Sequence, residues 1–211
     1  MSCRDHDCHA PNNDSRYRRI LWAALGLNAA MFLIEIVASV IAGSVSLRAD
    51  ALDFLGDAAN YALALAVVGL ALHWRARAAL LKGSVMGMFG LWVAGSTIYS
   101  AVTATVPKAE VMGAIGLLAL AVNLGVVGLL YRYRSADSQA LSVWLCTRND
   151  CIANVAVMLA GAGVWASATA WPDIAVAAII ACLGLSSAVR IIRQALREMR
   201  GHGIPRGLPA E

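Results

Sequence analysis

Six long apolar runs dominate this 211-residue chain, at residues 20–44, 52–73, 80–105, 111–131, 141–165 and 172–192. Each is near the roughly 20 residues an α-helix needs to cross the hydrocarbon core of a bilayer. Isolated strands would leave backbone groups unpaired in lipid, and a closed barrel would show short alternating segments, so spanning strands are excluded. Composition agrees: 60% of residues are hydrophobic and 14% charged, against about 45–50% and about 25% in soluble domains. The expectation is an all-α polytopic membrane protein, a six-transmembrane-helix bundle over 20–192. It is flanked by a cytoplasmic N-terminal tail, 1–19, and a short basic cytoplasmic tail, 193–211.

Where the charge sits matters more than the net +4. With the N-terminus in the cytoplasm, fourteen basic residues fall on that side: Arg4, Arg16, Arg18 and Arg19 in the tail; Arg75, Arg77 and Lys82 in the second-to-third loop region; Arg132 and Arg134 in the fourth-to-fifth loop; and Arg190, Arg193, Arg197, Arg200 and Arg206 at the C-terminal end. Arg48 and Lys108 fall on the other side, and Arg148 within the fifth run. The positive-inside rule then places both termini in the cytoplasm of a multi-pass protein of the inner membrane. A basic distribution of this kind reads as topology and lipid headgroups, and no nucleic-acid partner is expected. Arg190, Arg193 and Arg197 share a helix face, as a snorkelling extension of the last helix would. The polar start of the chain is unlike a signal peptide, and the five cysteines show no disulfide framework.

Acidic residues inside apolar runs carry the functional signal, because each costs on the order of 2.5–3.5 kcal/mol at a helix centre. Glu35 lies in the first run, Asp53 and Asp57 in the second with Asp50 just before them, and Asp150 in the fifth. Asp53 and Asp57 are spaced i,i+4 and share a helix face; Cys146 and Asp150 repeat the spacing. Facing each other, the two helices would present three carboxylates and one thiolate, enough to surround one ion tetrahedrally, as zinc prefers. The thiolate turns preference towards softer ions. The competing readings are structural: a capping or solvated acidic pair, with Asp50 near a helix start where carboxylates suit the dipole, and cysteines as small apolar filler. Cys151 and Cys182 are read as filler. Arg148 lies about 200° around the helix from Cys146 at 100° per residue, so it points away from the proposed ligands; it pairs with Glu35 or snorkels. Gly83 and Gly87 form a small-xxx-small pair, read as helix packing ahead of a dimer contact.

At these residues the sequence resembles the cation diffusion facilitator family of metal–proton antiporters. Asn28, Glu35 and the run Gly43-Ser44-Val45-Ser46-Leu47-Arg48-Ala49-Asp50-Ala51-Leu52-Asp53 are similar to that family's first-to-second helix junction. Asp53 and Asp57 match its second-helix pair, Asn123 its fourth-helix Asn, and Asp150 its fifth-helix Asp, while Cys146 stands where the family carries His. The likeness covers about residues 20–195, with no His-rich loop between the fourth and fifth helices and no match to the family's cytoplasmic C-terminal domain.

The resemblance implies a secondary transporter that exports divalent zinc, cadmium or cobalt in exchange for protons. Asp53, Asp57, Cys146 and Asp150 would be its ligands, with Glu35, Asp50, Asn123 and Asn154 as supporting groups. The ion is substrate; no catalytic cofactor is expected, and no nucleophile–base constellation suggests an enzyme. Binding would displace protons, since thiolate and carboxylates ligate deprotonated. Partners are metal ions, protons, the bilayer and, through the transmembrane region, a second copy. In the tail, Cys3, His6, Cys8 and His9 suit accessory capture of a thiophilic ion, with chance composition as the bland reading. Two other functions stay open: a metal-sensing or auxiliary subunit of a larger transporter, and a proton-coupled organic-cation transporter that would have no need of a Cys in ligand register.

Overall fold

The computed structural model describes residues 15–66, 72–103, 105–133 and 138–201, with backbone only at 72, 73, 75, 76, 138–146, 200 and 201. The described residues form α1 (Ser15–Ala42), α2 (Val45–Ala66), α3 (Leu72–Thr103), α4 (Ala109–Leu130), α5 (Ser138–Ser167) and α6 (Trp171–Gly201), with one 3-10 turn at Tyr131–Tyr133. No strand occurs among them. Five of the helices, all but α2, are long and apolar enough to cross a membrane. The second falls short because Arg48, Asp50, Asp53 and Asp57 interrupt its hydropathy. Six apolar runs were expected to give six spans; the described structure supports five by length and composition.

The outside of the bundle is apolar and much of the inside polar. Leu33, Val40, Leu91, Val102, Leu117, Trp165 and Leu183 are exposed, while Asn28, Glu35, Asp50, Asp57, Asn123, Thr147 and Asn154 are buried. Water-soluble cores do the reverse. An apolar exterior is stable only in contact with lipid, so this is an integral membrane protein.

The largest contacts pair α1 with α2, α4 with α5, and α3 with α6; smaller ones join α2 to α3, α5 and α6, and α1 to α4. Gly83 and Gly87 lie against Ala188 of α6, and Gly83 also against Ile191 and Ile192. Their missing side chains let α3 approach α6, which is the packing reading of that pair.

The α1–α2 corner sets the position of α2. Gly43 ends α1 with φ of +68°, a left-handed conformation that costs glycine little. Its N–H bonds back to the Val40 carbonyl at 3.3 Å, and the Ser44 N–H to the Ser39 carbonyl at 3.1 Å, which together make a Schellman motif. Ser44 then caps α2, its Oγ accepting from the Leu47 N–H at 3.2 Å. The two remaining first-turn amides are satisfied from α6. Asp173 accepts from the Val45 N–H at 2.8 Å, the Ser46 N–H at 3.0 Å and the Ser44 hydroxyl at 2.7 Å. A carboxylate at a helix N-terminus also suits the dipole, and here a residue remote in sequence supplies it.

The cap corrects two expectations. Asp50 is not at the helix start: α2 begins five residues earlier, and Asp50 is fully buried one turn further in. Arg48 is not in a loop but in the first turn of α2, its guanidinium 5.1 Å from the centroid of the Trp92 ring. A third correction concerns Lys82, counted among loop residues. The third helix starts at Leu72, so Lys82 lies nearly three turns inside it, facing α2. The basic stretch after Ile192 continues α6 as far as Gly201.

Two apolar layers close the ends of the bundle. At the end carrying the α1–α2 corner are Ala38, Ala42, Val45, Leu47, Val93, Met112, Val157 and Val164. At the other end are Tyr17, Leu21, Ala24, Tyr61, Ala64, Val126 and Leu130. Apart from Asp173 at the corner, the buried acids and amides occupy the helix positions between, along with a small Met31, Phe54 and Ala119 cluster.

Candidate functional site

The site grows from the inward face of α2. Helical periodicity puts Asp50, Asp53, Asp57 and Tyr61 along one stripe; Asp50, Asp57 and Tyr61 are buried and Asp53 half-buried. The second helix touches both α1 and α5, so the stripe meets a polar face on each.

Towards α5 the partners are Thr147 and Asp150, spaced i,i+3 on one face, with Asn154 a further turn along it. The carboxyl groups of Asp57 and Asp150 come within hydrogen-bonding reach of each other. The Tyr61 and Thr147 hydroxyls lie 2.7 Å apart, with either able to donate to the other, and each stands 3.4 Å from Asp57 Oδ2. With one proton apiece, one hydroxyl donates to its neighbour and the other to the carboxylate. Tyr61 and Thr147 thus bolt α2 to α5 beside the carboxylates. Asp53 interacts electrostatically with both Asp50 and Asp57.

Cys146 lies in α5 one turn before Asp150, but its side chain is outside the described residues. Among those described, no three His, Cys, Asp or Glu side chains converge closely enough to hold a metal ion as they stand. The tail candidates Cys3, His6, Cys8 and His9 also lie outside the described residues.

Towards α1, Glu35 meets Asp50 and Asp53. The three interact electrostatically, the Glu35 and Asp50 carboxyls lying close enough to share a proton with each other, and no other group hydrogen-bonds to either. Arg148 is exposed and bonds to Asn149 Oδ1 at 3.4 Å, so it does not pair with Glu35. Further orphan atoms are Asn28 Oδ1, Asn123 Oδ1, and both amide atoms of Asn154. Asn28 spends its amide N–H on the Ala24 carbonyl at 2.8 Å. Each buried orphan costs about 1–3 kcal/mol, so a concentration of them implies groups that gain partners when water or a polar solute enters.

Four residues that position the site were not anticipated from the sequence. Tyr61 and Thr147 carried no motif, although Tyr61 continues the i,i+4 series from Asp57. Lys82 donates to Asn60 Oδ1 and acts electrostatically on Asp57. Asp173 caps α2 from another helix. Cys151 behaves as a packed thiol, donating to the Thr147 carbonyl at 3.4 Å, and Cys182 is an exposed free thiol; neither joins the site.

The chain matches the cation efflux transmembrane domain over residues 21–199, a span holding all six helices but for the first turns of α1 and the last residues of α6. Proteins of this family are transporters, not enzymes. The chain belongs to the cation efflux, or cation diffusion facilitator, family, and is an integral membrane cation-efflux transporter.

Proposed function

We propose that the protein exports a divalent transition-metal ion of the zinc, cadmium or cobalt class from the cytoplasm in exchange for protons. In this reading all six helices span the inner membrane, α2 included, both termini are cytoplasmic, and the ion is held by Asp53, Asp57, Cys146 and Asp150. One observation carries it: α5 lays its Thr147–Asp150 face on Asp57 of α2, with Thr147 Oγ1 3.4 Å from Asp57 Oδ2, so carboxyl groups from two helices, Asp57 and Asp150, are brought together between the apolar layers. Two ionised carboxylates at such range repel unless a proton or a cation sits between them. A proton gives the metal-free state and a metal ion the loaded one, which is the exchange a proton-coupled exporter performs.

The acids explain why α2 is too polar to pass for a span on hydropathy alone. Charged groups in membrane helices are tolerated when they face the bundle interior, and these do. Cys146 adds a soft donor to an otherwise hard set, which favours zinc or cadmium over magnesium or calcium. Because carboxylates and thiolate must be deprotonated to ligate, loading releases protons, and protons from the far side compete the ion off. The orphan amides of Asn123 and Asn154 and the carboxyls of Glu35 and Asp50 are supporting groups for ion and water along the way.

The test is flux in proteoliposomes containing only this protein, loaded with a zinc-sensitive dye and given a pH gradient. Zinc uptake driven by that gradient, and lost in Asp57→Ala, is the expected result. An Asp57→Ala protein that transports at the parent rate would refute the site. Absence of any flux from well-folded parent protein would refute transport by this chain alone.

A further inference from the structure

A lysine stands beside the carboxylates. Lys82 is half-buried in α3, donates to Asn60 Oδ1, and lies close enough to Asp57 to act on it electrostatically. Its placement follows from packing. Gly56 on α2 faces Met86 on α3 so closely that a Cβ at Gly56 would sit 2.8 Å from Met86 Cε. In antiparallel helices, one turn on from Gly56 is Asn60 and one turn back from Met86 is Lys82. The absent side chain at Gly56 therefore sets the approach that delivers the ammonium to Asn60, three residues along α2 from Asp57. The same region is held by apolar contact among Leu52, Met86 and Ala188, which ties α2 to both members of the α3–α6 pair.

We infer that the Lys82 ammonium is the resident counter-cation of the metal-free site, a tethered competitor that a divalent ion must displace from Asp57. The inference rests on the proposed ligand role of Asp57. An ammonium offers one positive charge without coordination, enough to offset like-charge repulsion among Asp53, Asp57 and Asp150 but easily outmatched by a directly ligated divalent ion. Both cannot stay at Asp57, because a divalent ion repels the ammonium at that range. Binding would therefore drive Lys82 away and weaken its contact with Asn60 between α2 and α3, leaving the apolar Gly56–Met86 and Leu52–Met86 contacts to slide. When the ion leaves, the lysine returns and opposes rebinding from the side of release. Asn60 holds the ammonium near enough to return.

Lys82→Gln keeps a donor for Asn60 and removes the charge; Lys82→Arg keeps the charge. Zinc titration of the purified full chain should show Lys82→Gln binding about tenfold tighter than the parent, as loss of a partly buried charge competitor requires. Lys82→Arg should stay within about threefold. Asn60→Ala loosens the anchor without removing charge and should tighten binding by a smaller factor, about threefold. In proteoliposomes Lys82→Gln should lower both KM and the maximal rate, a split that mere misfolding does not produce. Equal or weaker zinc binding by folded Lys82→Gln overturns the inference, as does a lowered maximal rate with unchanged KM. Asp57→Asn separates the two readings. If it abolishes zinc binding while Lys82→Gln binds as the parent does, only the lysine's role fails; if Asp57→Asn itself binds zinc normally, the ligand assignment fails.

Discussion

Removing the carboxylate of Asp173 should unseat α2. The residue is fully buried and accepts three hydrogen bonds from the α1–α2 corner, two from backbone amides and one from Ser44. In Asp173→Ala the Val45 and Ser46 amides lose their partners where water does not readily replace them. Leaving a buried donor unsatisfied costs about 1–3 kcal/mol, and the Ser44 hydroxyl, still able to reorient, adds less. Since the losses are not additive, the expected destabilisation is about 3–5 kcal/mol, the range seen when one partner of a buried charged contact is removed. For a chain of this length that corresponds to a fall in Tm of roughly 10 °C. Asp173→Asn retains one acceptor oxygen and should fall between. Ser44→Ala loses the Leu47 cap and should cost about 1–2 kcal/mol. Glu110→Ala, in the exposed first turn of α4, should leave Tm within about 1 °C. The assay is thermal unfolding of purified protein in one detergent, followed by tryptophan fluorescence, with flux normalised to folded protein. If Asp173→Ala melts within about 2 °C of the parent, the carboxylate does not hold the corner. If its flux per folded molecule is also lost, Asp173 has a part in transport beyond seating the helix.

Four further outcomes test the functional reading. Asp53→Ala, Asp57→Ala and Asp150→Ala should each abolish flux at normal membrane expression, whereas Asp50→Asn, outside the proposed ligand set, should reduce flux less; loss of flux in Asp50→Asn as complete as in Asp57→Ala would put Asp50 among the ligands. Cys146→His should shift flux from cadmium towards zinc, and Cys146→Asp towards harder ions such as manganese, while Cys151→Ser and Cys182→Ser should leave selectivity alone; a Cys146→Ser protein matching the parent in rate and preference would make Cys146 filler. Zinc affinity should fall as pH is lowered, because protons compete for the same donors, and calorimetry in buffers of differing ionisation heat should register proton release on binding; heats independent of buffer would exclude it. Deleting residues 2–9 should weaken apparent affinity yet leave flux measurable, since a tethered tail can only concentrate the ion nearby; complete loss of flux would make the tail part of the transport path.

Local properties of the chain were enough to read the helices, the lipid-facing exterior and the stripe of acids on α2, because run length and i,i+4 spacing are set by residues within one helix. They were enough to order Asp53, Asp57 and Asp150 on the two helices that do meet. Hydropathy could not decide how many helices span, since the acids proposed as ligands on α2 also lower its apolar score, and only packing shows that they point inward. The same limit governs Asp50, taken for a helix-start residue until the cap at Ser44 placed the start of α2 earlier and buried Asp50 against Glu35. Lys82 looked like a loop cation because a charge next to an apolar run marks a boundary unless a partner waits on the neighbouring helix. Asp173 stands 128 residues from the Val45 amide it caps, and Thr147 stands 86 from Tyr61. Such pairs depend on the register in which separate helices pack, and that register is chosen by close approaches such as Gly56 on Met86, which no single helix encodes alone.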